Sequence, residues 1–171
     1  MEARAKILGH AIHPMVIVFP LGLLATAAIF DAAYLIFGGT SLPTAGFWMI
    51  VSGLVGAGFA SVFGWIDWTA IPEGTRAKTI GLYHGMVNMT VALVFAIGLY
   101  LRWDVPTAPP MIAIVLSFIG VGLALLGGWL GGELVERLGV AVHPGANANA
   151  PSSLTHDDAR AANEHAETKS S

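Results

Sequence analysis

Long apolar runs alternate with short polar breaks along this chain. Four runs, 15–37, 45–66, 80–101 and 111–132, carry a single formal charge between them, Asp31. Each is long enough for a helix rising about 1.5 Å per residue to cross a hydrocarbon core about 30 Å thick. None alternates apolar and polar residues as barrel strands do, and in lipid the remaining way to satisfy every backbone group is the helix. The pattern predicts an all-α, integral membrane up-down four-helix bundle, since connections at 38–44, 67–79 and 102–110 are short enough to favour antiparallel neighbours. No internal repeat of the kind transporters carry is legible along the chain.

The run 15–37 follows Arg4 and Lys6 like the core of a signal peptide. It is longer than the roughly 7–15 residues of such a core, and three similar runs follow it, which points to a retained span. The resulting division is an N-terminal segment 1–14, a transmembrane domain 15–143 and a tail 144–171. In the tail the composition shifts to Ala, Asn, Ser and mixed charge, too polar to bury a core, and disorder is expected there. Arg4, Lys6, Arg76, Lys78 and Arg137 fall on one side of the bundle and Arg102 alone on the other. The positive-inside rule then makes both termini cytoplasmic, in a bacterial inner membrane.

Composition narrows the chemistry. Of 171 residues 55% are apolar and 11% charged, with a net charge of −3, so there is no basic surface for a nucleic-acid backbone. Absence of cysteine removes disulfides, thiolate nucleophiles, Cys-ligated clusters and c-type haem attachment. There is no phosphate-binding Gly-rich loop, nucleophile elbow or His-Glu-x-x-His helix. Small residues recur every four positions at Gly56, Ala60 and Gly64, at Gly127 and Gly131, and at Gly128 and Gly132. These faces are expected to be helix contacts, including contacts between subunits of a homo-oligomer.

The polar groups near the span ends share a depth. His10 and His13 enter the first helix, Asp67 leaves the second, His84 and Asn88 enter the third, and Glu133 leaves the fourth. Buried polar groups at membrane depth mark functional sites by default. His84 and Asn88 stand four apart on one helical face. The first and third helices of such a bundle are diagonal, so His13 can face His84 across the core. Two opposed imidazoles suit a b-type haem, with Asn88 beside them as a cofactor-binding group. His10, His13, Asp67, His84 and Glu133 together suit a divalent metal. A plainer reading makes these groups interhelical hydrogen-bonding glue.

Pro20 removes a backbone donor and is expected to bend the first helix one to two turns beyond His13. Asp31 lies about 27 Å further along at the usual rise, at the opposite face; it is read as a partner of Tyr34, Tyr100 or a helix end, or else as a protonatable group on an ion path. Trp48, Trp65, Trp68, Trp103 and Tyr100 suit interfacial anchoring. Glu133 with Arg137 and Glu73 with Arg76 are spaced to pair. His143, His156 and His165 are not expected to be ligands.

His10-x-x-His13-Pro14, Phe19-Pro20, Gly64-x-x-Asp67-Trp68, His84, and Gly127-Gly-Trp-Leu-Gly-Gly-Glu133-Leu-Val with Gly139-Val140 together resemble a bacterial membrane family, domain of unknown function 2231, over residues 9 to 142. The resemblance implies a four-helix membrane protein, sometimes encoded beside or fused to redox modules such as Rieske-type domains. It supplies no catalytic residue. Where members often carry a further His before the Phe-Pro, this chain has Val18. The reading from sequence is therefore a haem b or metal centre serving electron transfer, with a quinone or a redox membrane complex as partner. The rival readings are a structural or accessory subunit of a larger complex, and a small transporter using Asp31.

Overall fold

A computed structural model describes residues 1–154; residues 155–171 of the expected tail, with His156 and His165, lie outside the described residues. The described residues form four helical rods. The first consists of α1 (Ile12–Val16) and α2 (Val18–Phe37), followed by α3 (Ser41–Thr69), α4 (Arg76–Leu101) and α5 (Met111–Gly132), with a π-helical turn at Glu133–Arg137. All four rods are long and apolar enough to span a bilayer, and the chain is an all-α, multi-pass membrane bundle.

Helices extend beyond the apolar runs, starting at Ile12, Ser41 and Arg76 rather than at 15, 45 and 80, and the second rod ends at Thr69 rather than at 66. Hydropathy marks only the length that lipid must touch. Polar turns continue the ladder on either side, as where the Thr75 hydroxyl accepts from Lys78 N–H (3.2 Å) at the start of α4. The first rod breaks at Ile17, one turn past His13, because Pro20 has no N–H to give the Val16 carbonyl. Gly56 on α3 accommodates the proline: a Cβ there would lie 3.2 Å from Pro20 Cδ.

α2 pairs with α3 and α4 with α5, and these two hairpins meet along α3–α4 and α2–α5, so the first and third rods stand diagonally. The half of the bundle remote from the termini holds a core of Leu24, Ala27, Ile50, Val91 and Phe95. Beyond it, Asp31 and Arg102 are fully buried and joined at both carboxylate oxygens (Nη1–Oδ1 3.0 Å, Nη2–Oδ2 3.1 Å). Arg102 also donates to the Gly98 and Ala113 carbonyls (3.3 and 2.9 Å) and to the Ser117 hydroxyl (3.2 Å). Asp31 therefore takes neither tyrosine as its ion partner; the loop arginine turns inward and links α2, α4 and α5.

At the terminal end the N-terminal segment is built rather than plain. β1 (Lys6–Ile7) and β2 (His10–Ala11) pair antiparallel around Leu8 and Gly9, both at positive φ (50° and 83°), as a two-residue hairpin turn requires. Ile71, Leu134 and Val140 form a small cluster at this end, packed by Trp68, Ala77 and Ile80. Residues 144–154 make successive turns. Asn147 closes one by accepting from Asn149 N–H (2.8 Å) and donating to the Gly145 carbonyl (2.9 Å), and Ser153 reaches His10 Nδ1 (3.3 Å).

The ion pair sets a stability expectation. Removing one partner of a buried, hydrogen-bonded pair costs about 3–5 kcal/mol, because the other charge is left uncompensated. Asp31→Ala should therefore lower unfolding stability in detergent by that amount, whereas Asp104→Ala, in the neighbouring exposed loop, should leave it nearly unchanged.

Candidate functional site

His13 sits in α1 against α3, and its Nδ1 lies 2.8 Å from the Ala60 carbonyl oxygen. His84 sits in α4 against α5, with Nδ1 2.9 Å from the Gly127 carbonyl oxygen. A carbonyl only accepts, so Nδ1 carries a proton in both rings, and in the neutral ring the lone pair is at Nε2. Glycine makes room for each ring. A Cβ at Gly64 would stand 3.0 Å from His13 Cε1, and one at Gly131 3.2 Å from His84 Cε1. In both cases the glycine follows four residues after the accepting carbonyl, on the same stripe of its helix.

The two rings face one another from the two hairpins, centroids 6.3 Å apart and planes at 84°. Asn88, one turn beyond His84, donates to the His84 carbonyl (2.8 Å) and places its amide nitrogen 3.3 Å from Nε2 of that ring. Its carboxamide oxygen lies against Gly127, where a Cβ would be 3.0 Å away. His13, His84 and Asn88 are all half-buried, in contrast to the sealed far half of the bundle. The structure thus brings these three together.

His10, Asp67 and Glu133 are engaged elsewhere. His10 is exposed on β2 with Nδ1 3.1 Å from the Leu8 carbonyl. Asp67 is buried and its Oδ1 accepts from the backbone N–H groups of Arg4 (2.7 Å) and Ala5 (2.8 Å), so its carboxylate ties the N-terminal segment to α3. Glu133 pairs with Arg76 at 2.6 Å rather than with Arg137. Glu73 pairs with Lys78 at 2.9 Å rather than with Arg76. Among the described residues no group of three or more His, Asp or Glu could hold a metal ion.

The glycine faces are internal where they touch the imidazoles and Pro20. Nothing lies within 4 Å of a Cβ built at Gly128 or Gly132. Trp68, expected at the interface, is half-buried with Lys78 Nζ 4.0 Å from its ring centre, and Lys78 also donates to the Trp68 and Ile71 carbonyls (3.1 and 3.3 Å). Trp48, Trp65, Trp103 and Tyr100 are exposed. Sequence reading missed the carbonyls of Ala60 and Gly127. The four-residue period of small residues is their signal in the sequence, since each glycine seats a ring beside the carbonyl one turn before it.

Fold and site define a four-span membrane bundle with a pair of opposed intramembrane imidazoles. The family model described as "Predicted membrane protein (DUF2231)" matches residues 9–144, and the chain belongs to that family. No curated protein and no solved structure matches the chain.

Asp67 supplies a check on the terminal end. Hydrogen bonds to a charged group contribute about 1.5–3 kcal/mol each, so loss of even one should raise opening of the strap about tenfold. Asp67→Ala should accelerate tryptic cleavage after Arg4 or Lys6 by at least this factor, while cleavage after Arg76 should be unaffected.

Proposed function

We propose that His13 and His84 are the two axial ligands of a b-type haem and that the protein is a one-electron carrier of the membrane. The observation that carries this reading is the number of ligands. The imidazoles face each other with no third protein ligand among the described residues. A bare zinc or similar cation asks the protein for three or four donors, whereas haem iron brings four nitrogens of its own and needs only two.

The chain's own part is to bind and orient. Ala60 and Gly127 carbonyls hold each Nδ1–H, fix the orientation of the ring and raise the basicity of Nε2. Asn88 keeps His84 from turning away. With His13 and His84 both holding it, the group would serve to carry an electron rather than to bind a small substrate. When bound, haem would supply a reversible one-electron couple; the neighbouring bilayer would supply a lipid-soluble quinone or a redox complex as partner. Arg4, Lys6, Arg76, Lys78 and Arg137 lie at the terminal end, and Arg102 at the far end is neutralised by Asp31. This asymmetry supports cytoplasmic termini, in a bacterial plasma membrane.

Protein purified in mild detergent from haem-replete cells should show the Soret and split visible bands of six-coordinate low-spin haem. His13→Ala or His84→Ala should abolish them, while His10→Ala keeps them. Colourless wild-type protein, or unchanged spectra in both histidine variants, would overturn the proposal.

A further inference from the structure

The two hairpins repeat one another in detail. His13, Leu24, Ala27 and Asp31 become His84, Phe95, Gly98 and Arg102 when 71 is added to each number. Adding 67 turns Gly46, Gly53, Ala60 and Gly64 of α3 into Ala113, Gly120, Gly127 and Gly131 of α5. Contacts follow the same translation. The His13–Ala60 carbonyl bond corresponds to His84–Gly127, and the seat of His13 on Gly64 to that of His84 on Gly131. Leu24 fills the space at Gly53 as Phe95 fills that at Gly120. The close approach of the paired helices is matched in reciprocal form: a Cβ at Gly46 meets the Ala27 carbonyl at 3.6 Å, and one at Gly98, the counterpart of Ala27, meets the carbonyl of Ala113, the counterpart of Gly46, at 3.6 Å. Both copies open with His-x-Met-Val, at His13 and at His84.

We infer that the chain is two tandem copies of one helical hairpin, 12–69 and 76–137, related by a two-fold axis along the bundle, and that the site between His13 and His84 lies on this axis and offers equivalent faces to a flat ligand. The helix order supports the axis. α2 and α4 run the same way and stand diagonally, as do α3 and α5, and the contact α3–α4 is exchanged with α5–α2. Each copy supplies one imidazole, one accepting carbonyl and one glycine seat. The copies differ in the site at the position four after the histidine, Ile17 in one and Asn88 in the other.

They differ with more effect at the far end. Asp31 and Arg102 occupy equivalent positions and are bonded to each other. Two identical hairpins would bring like charges together there, so this pair requires two hairpins that differ at this position. It makes the contact of one hairpin with the other specific.

The ligand half of the inference rests on the haem reading. Protohaem has two faces that differ only in the order of its methyl and vinyl groups, and equivalent walls do not choose between them. In equilibrated ferric protein, proton NMR should show two sets of shifted haem-methyl resonances within about threefold of each other in intensity, a difference of under about 1 kcal/mol. Haem bound in one orientation only overturns the inference and leaves the haem reading standing. A second arm needs no haem. The exchange Asp31→Arg with Arg102→Asp moves the pair to the mirrored arrangement, where the Ala27 and Gly46 carbonyls stand in for Gly98 and Ala113 and only the Ser117 hydroxyl has no counterpart, being replaced by Ile50. The double variant should recover most of the stability lost in each single variant, and should be obtained as monodisperse protein where they are not. A double variant no better than the singles overturns the tandem equivalence, and colourless protein overturns the ligand half together with the haem reading.

Discussion

A carbonyl oxygen engaged in a helix ladder still has one lone pair, and the centre of this bundle is organised by two such lone pairs. At membrane depth a neutral imidazole needs a partner for its N–H, and water is not at hand. The Ala60 and Gly127 oxygens answer that need, and in doing so they decide the tautomer, the ring orientation and the direction of the remaining nitrogen. Glycines one turn further along let the rings approach. Replacing a carbonyl partner by a side chain would have introduced rotamers; a backbone acceptor in a helix has none to lose.

Around this centre the bundle is stiff at one end and less tightly filled at the other. The far half is closed by side chains with almost no exposure and by an arginine that spends its donors on a carboxylate, two carbonyls and a hydroxyl. The desolvation of two ions there is offset only because the hydrogen bonding is complete. At the terminal end, order comes from a different source. Asp67 gathers two backbone N–H groups of the incoming strand, and Lys78 caps the carbonyls that end α3. The imidazoles sit between a sealed half and a tied cover.

Much of this was legible in advance. Four runs with one charge between them spelled the spans, and the diagonal of an up-down bundle placed His13 opposite His84. Pro20 signalled the break that appears at Ile17. Other parts were hidden for physical reasons. Partners of Asp31 and Glu133 come from distant helices, and spacing along one helix pointed to nearer ones; the π-helical turn at Glu133–Arg137 also departs from the regular helix on which such spacing rules rest. The repeat escaped because few residues are identical between the copies. What is preserved is size and placement, Leu24 for Phe95 and Ala60 for Gly127, and these are recognised only once the helices are seen to pair. The carbonyl acceptors leave no mark in a list of side chains.

Even-numbered crossing has a topological consequence for such a repeat. A chain that crosses twice returns to the side it left, so a second copy inserts with the orientation of the first, and residues 70–75 are enough to join them. Repeats of odd span count must instead be inverted or given an extra linking helix. Doubling a gene segment of this kind would therefore have required no change in insertion signals, and the fused product would have been free at once to let its halves diverge, one acquiring an acid where the other acquired a base.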